Sequence, residues 1–163
     1  MPNATENSLT PMAGFDALDD LSKAIIEQLQ QDGRRSYAAI AKAIGLSEAA
    51  VREGVLRLLD QGVMQIIAVT DPLTLGFRRQ AMIGIRTSGD TREIADRLAA
   101  LAEVDYVVVT AGSFDLLVEV VCEDDEQLLS LLNDTIRLVP GVRDTETFVY
   151  LRLAKQTYTW GTR

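Results

Sequence analysis

The stretch "SYAAIAKAIGLSEAAVREGVLRLLDQG", Ser36 to Gly62, decides the fold. Ser36 is placed to cap a short helix with Ile40 and Ile44 on one face, and Gly45 ends it. After Leu46 alone, Ser47 caps a second helix, with Val51, Val55 and Leu58 inward at i, i+4 and i+7 and Gly62 as terminator. Ala41, four residues before Gly45, is the small side chain two crossing helices need, and Gly45 permits the left-handed turn between them. This spacing predicts a helix-turn-helix. Upstream, "LDDLSKAIIEQLQQDG" adds a third amphipathic helix, with Leu21, Ile25 and Leu29 on one face, opened by Asp19 or Asp20 and closed by Gly33.

Downstream of Gly62 the pattern changes. "VMQIIAVTDPLTLGF" is strand-like until Pro72 and Gly76 break it, which suits a wing strand and a linker. From Arg79 the order is β-α-β twice over: "QAMIGIRT", a helix with Ile94, Leu98 and Leu101 inward, "VDYVVVTAG", "FDLLVEVVCE", a helix with Leu128, Leu131, Leu132 and Ile136 inward, and "VRDTETFVYLRL". Two such units side by side give a four-stranded antiparallel sheet with both helices on one face. The expected class is α+β: an N-terminal winged helix-turn-helix, then a ferredoxin-like β-α-β-β-α-β domain. The expected boundaries are a flexible arm at 1–15, the winged helix-turn-helix at 16–65, a strand linker at 66–79 and the second domain with its tail at 80–163. In the third strand Leu116, Val118, Val120 and Cys122 belong under the helices, leaving Leu117, Glu119, Val121 and Glu123 on the open face. The last strand gives that face either Phe148, Tyr150 and Arg152 or Thr147, Val149 and Leu151. A half-apolar open face predicts dimerisation through it.

Composition narrows the chemistry. Among 163 residues there is no histidine and one cysteine, Cys122, so a Ser-His-Asp triad, a Cys-His pair and a zinc site are excluded, and no enzyme or cofactor is expected. The acidic run at Asp124, Asp125 and Glu126 sits where a helix begins and reads as capping. No apolar run is long enough to span a bilayer and the N-terminus has no apolar signal core, so a cytoplasmic location with no membrane partner is expected. A net charge of -8 argues against nonspecific adhesion to nucleic acid, which clustered cations drive. Between Arg34 and Arg57, however, five basic residues face two acidic ones, a local reversal of sign.

The opening "LDDLSKAIIEQLQQDGR", the "GLS" turn, "GSFD" at Gly112 to Asp115 and "PGVRDTETF" from Pro140 to Phe148 together resemble the Lrp/AsnC family of transcription regulators, over Leu18 to Lys155. The resemblance implies a homodimer, assembling into a tetramer or octamer, that binds double-stranded DNA and responds to an amino-acid effector held between subunits. By motif it carries the effector site to Gly112, Ser113 and Asp115 in the loop between the second and third strands, and to Thr145 and Thr147 in the last. Those residue types suit it: a glycine for close approach, a hydroxyl, and a carboxylate to pair an α-amino group. An ordinary turn capped by Asp115 is the bland alternative. Leu116, Phe148 and Val149 lean toward a branched-chain or aromatic effector. The DNA-facing set is expected to be Arg34, Arg35, Ser47, Glu48, Arg52 and Arg57, with Arg52 on bases and Arg57 with Arg34 or Arg35 on phosphates. Relatives commonly carry Arg where this chain has Gly54 and a basic residue where it has Leu56, departures expected to weaken DNA reading. The alternative they keep open is a metabolite-binding oligomeric module acting through protein partners.

Overall fold

The computed structural model describes residues 18–162. These divide into two units, 69–154 and a second made of 18–68 together with 155–162. The arm expected at 1–15 lies outside the described residues.

The smaller unit is built on three helices: α1 (Asp20–Gln31), α2 (Tyr37–Ile44) and α3 (Glu48–Asp60). Asp19, Ser36 and Ser47 cap them, each accepting from a backbone amide of the first turn, at Ser22, Ala39 and Ala50. Gly45 takes φ +74° at the end of α2, and both its amide and that of Leu46 return to the Ala41 carbonyl, so the turn into α3 is closed within two residues. Ile25, Leu29, Ile40, Ala41, Val51, Val55 and Leu58 form the buried core. The inward periodicity read from the sequence is therefore the one that packs.

The expected wing strand does not form. Residues 63–70 have no strand pairing, and Ile66, Ile67 and Val69 are exposed. A β-ladder needs a facing strand, and the described residues of this unit supply none. The tail at 155–162, expected with the second domain, packs instead with the first unit: the Gly161 amide donates to Gln30 Oε1 at 3.1 Å and the Thr162 hydroxyl to Glu27.

The larger unit runs β1 (Arg79–Thr87), α4 (Thr91–Ala99), β2 (Val104–Val109), β3 (Leu116–Cys122), α5 (Asp125–Ser130) and β4 (Val142–Val149). The sheet order is β2-β3-β1-β4 with every pair antiparallel, the ferredoxin-like arrangement. Ala81, Ile83 and Ile85 of β1 and Leu116, Val118, Val120 and Cys122 of β3 are fully buried, with Ile94, Leu98, Leu128, Leu131 and Ile136 in the same core. The helix read over "DDEQLLSLLNDTIRLV", 124–139, is in fact α5 followed by a wide turn at Leu131–Thr135 and a tight one at Ile136–Leu138. That change of winding keeps both Leu131 and Ile136 buried before the chain turns into β4. Phe148 pairs with Met82 across β1, so Phe148 and Tyr150, not Val149, share the open face with Met82 and Glu119.

Candidate functional site

With one side of α3 committed to the core, the other presents Ala49, Arg52, Glu53 and Leu56 along an open groove. Arg52 is not loose. Its guanidinium lies 5.2 Å from the centre of the Tyr37 ring and its Nη2 is 3.6 Å from Glu48, one turn back on the same helix. Stacking and pairing together hold this side chain against α2 while it stays half exposed, which lowers the entropy cost of meeting a partner. Arg34 and Lys42 are exposed and carry no ion pair among the described residues, and Arg35 reaches Gln31 at 3.5 Å.

Arg57 lines the same groove and is paired within the unit. Its Nη2 donates to Asp19 Oδ2 and to the Ser22 hydroxyl, both at 3.2 Å, and so ties α3 to the cap of α1. The Ser22 hydroxyl and amide, with Arg57, hold the Asp19 carboxyl below the usual carboxylate range. Gly54 is buried, and a Cβ there would come within 2.6 Å of Ile25 Cδ1. The helices α1 and α3 cross at this point, and the position faces the core rather than the groove. Gly54 therefore leaves the outer face of α3 unchanged. Leu56, 50% exposed, does lie on that face.

At one end of the sheet, the loop from Thr110 to Asp115 is latched down by neighbours. The Thr110 hydroxyl donates to the Phe114 carbonyl at 2.5 Å. The Phe114 ring covers Gly84 so closely that a Cβ on Gly84 would meet it at 2.7 Å, and it stands edge-on to Phe148 with centroids 6.1 Å apart. Arg86 lies 4.7 Å from the Phe114 ring centre, donates to the Ser113 carbonyl at 3.0 Å and pairs with Asp144 at 2.6 Å. Asp115 Oδ2 accepts from the Thr87 amide at 2.6 Å and the Thr87 hydroxyl at 3.3 Å.

The AsnC-type helix-turn-helix domain family matches residues 18–59, and a family described as a C-terminal dimeric alpha+beta barrel domain matches 77–163. The chain belongs to the Lrp/AsnC family of transcription regulators. An HTH-type transcriptional regulator of Pyrococcus furiosus is 34% identical over 143 residues, covering 86% of this chain and 97% of its own. The leucine-responsive regulatory protein of Salmonella typhimurium is 30% identical, covering 86% and 88%. Among solved structures, a Neisseria meningitidis transcriptional regulator in complex with L-Met superposes with TM-score 0.74 at 25% identity, over 86% of this chain and 94% of that one. The relatives are regulators of transcription.

Within this Lrp/AsnC chain the expected site residues fall into two groups. Gly112, Ser113 and Asp115 lie together in the latched loop, with Gly112 and Ser113 exposed. Thr145 and Thr147 pair with Ile85 and Ile83, so they point to the helix side of the sheet, two strands away from that loop's strand. Leu116 is fully buried in the core beneath the helices. Ser47 Oγ accepts the Ala50 amide at 3.2 Å, a cap that leaves its O–H to donate. Sequence reasoning missed Tyr37 and Arg86. An aromatic in the first turn of the helix preceding α3 was a legible hint for Tyr37; for Arg86 no local signal existed, because its partners Ser113, Phe114 and Asp144 are distant in sequence.

Proposed function

We propose that the protein is a DNA-binding regulator whose oligomer responds to an amino acid. The observation that carries this reading is the outer face of α3, where Arg52 is held by Tyr37 and Glu48 over an open groove. Arg52 takes the base-reading role, since a guanidinium is a bidentate partner for guanine in the major groove. Arg34 and Arg35 face phosphate, while Ser47 and Glu48, at the start of α3, lie where a reading helix meets base edges. The L-Met bound by the Neisseria relative supports an amino acid as the effector, with the loop at Gly112, Ser113 and Asp115 and the β4 residues Thr145 and Thr147 as its surroundings. The dimer forms through the open sheet face and builds to a tetramer or octamer, whose avidity adds to the affinity of each helix.

The test is fluorescence anisotropy on the gene's own upstream DNA against a scrambled duplex, at two salt concentrations, with and without pooled amino acids. Preference for the upstream duplex that shifts with the pool is the expected result. In Arg52→Ala the preference falls by about 1–3 kcal/mol, the discrimination of one bidentate base contact. Equal binding to both duplexes under every condition would sink the reading and move the search to protein partners.

A further inference from the structure

We infer that the pocket at the start of β4 is a carboxylate site, with Arg137 and Arg143 as its cations, that takes the α-carboxylate of a small amino acid. The inference rests on the effector half of the proposed function and supplies the positive charge that the expected residues lack. The pocket, about 230 Å³, is lined by Arg137, Val142, Arg143, Asp144 and Thr145. Two elements meet there: the tight turn at Ile136–Leu138 brings Arg137, and the edge strand β4 brings Arg143 and Thr145. Gly141, at φ +95°, makes the reversal between them, and a Cβ on it would meet Ile94 Cδ1 at 2.6 Å and the Ser88 carbonyl at 2.9 Å.

Charge is the first argument. The chain holds 24 acidic residues against 16 basic, yet neither arginine is paired with a carboxylate among the described residues. Arg137 donates only to neutral groups, from Nε to the Thr145 hydroxyl at 3.0 Å and from Nη1 to Asn133 Oδ1 at 2.5 Å. Arg143 makes no ion pair or hydrogen bond among the described residues. Two guanidiniums that share a pocket with no carboxylate paired to either are matched to a bound anion, and their planar forks fit a carboxylate.

Polarity is the second. Thr145 Oγ1 accepts from Arg137, so its own O–H is left to donate toward an anion. Asp144, on the pocket rim, does not neutralise the pair: its Oδ2 is held by Arg86 at 2.6 Å and its Oδ1 by the Thr145 amide at 3.0 Å. It still offers lone pairs to an ammonium. Cations on one wall and a carboxylate on another complement a zwitterion, and Val142 supplies an apolar wall. The volume lies below the roughly 300–1,000 Å³ of sites for drug-sized ligands, which suits an amino acid of small side chain.

Thermal shift and isothermal calorimetry on the full chain, with the common L-amino acids one at a time and each against its own α-carboxamide, decide the matter. At least one amino acid is expected to raise the melting midpoint while its amide does not, and Arg143→Gln is expected to weaken its binding on the order of tenfold to hundredfold, the worth of a hydrogen bond to a charged group. Circular dichroism confirms that the variant is folded. Undiminished binding by Arg137→Gln/Arg143→Gln would overturn this site and leave the regulator reading standing. An amide that binds as well as its acid would overturn it too. A wild-type chain that no amino acid stabilises would overturn both the site and the effector half of the function. Loss of affinity for operator and random DNA alike in Arg143→Gln, without any amino acid, would assign the pair to phosphate and overturn the inference.

Discussion

At the scale of single residues, Gly54 and Arg57 change meaning once their neighbours are known. A glycine inside a helix costs about 1 kcal/mol relative to alanine, so Gly54 in α3 looks like a weakness. The space for a Cβ is taken by Ile25 Cδ1, in a fully buried side chain. Gly54→Ala should therefore return less than that 1 kcal/mol, and chemical denaturation should show the full gain only in an Ile25→Val background, which removes the obstructing methyl. Additivity of the two substitutions would mean that the helices do not meet there. Arg57 is the second case. Expected on phosphate, it is occupied by Asp19 and Ser22 in the structure. Arg57→Ala should lower the melting midpoint of the helical unit while leaving the slope of log affinity against log salt unchanged. A slope smaller by about one would restore it to the DNA backbone.

At the scale of elements, the pairing of β3 and β4 through β1 produces a polar cluster on the open face. The Gln80 amide donates to Glu119 Oε1 at 2.8 Å, and Tyr150 reaches the same carboxylate. Burial first, then the charge and hydrogen bond of Glu119, push the Tyr150 phenol up to about 12 from 10.0. A raised value means that the protonated phenol is favoured by folding. Its stabilisation is whole below pH 10.0 and is lost as the pH rises toward 12. Rapid pH-jump absorbance at the tyrosinate band should find one of the four tyrosines titrating late, and Glu119→Gln should bring it down. Four tyrosines titrating together near the ordinary value would refute the cluster. The stretch 63–70 teaches the complementary point: its composition is strand-like, but a strand exists only where a partner strand takes its hydrogen bonds.

At the scale of the whole molecule, the open face carries Met82, Leu117 and Phe148 around that polar cluster, beside the Phe114 ring. If this face joins two copies, Phe148→Glu should leave circular dichroism intact and convert the wild-type dimer to a monomer in equilibrium sedimentation. An unchanged mass would move the interface elsewhere. No helix among the described residues is long and apolar enough to cross a membrane.

The helix-turn-helix, the β-α-β-β-α-β order, the caps at Ser36 and Ser47, a cap at Asp19 or Asp20, another within the acidic run at 124–126, and the core faces of the helices and of β3 were legible along the chain. These follow from periodicity and from capping contacts within three residues, which are local properties of a chain. The packing of elements chose which arginines are ion-paired across the fold: Arg57 with Asp19, Arg86 with Asp144 and Arg79 with Asp125, while Arg137 and Arg143 line one pocket without a carboxylate partner. It also decided that Gly54 faces a neighbouring helix and that the last strand gives Phe148 to the open face. The physical reason is that a partner 38, 46 or 58 residues away is chosen by how elements pack, and no spacing along the chain encodes that choice.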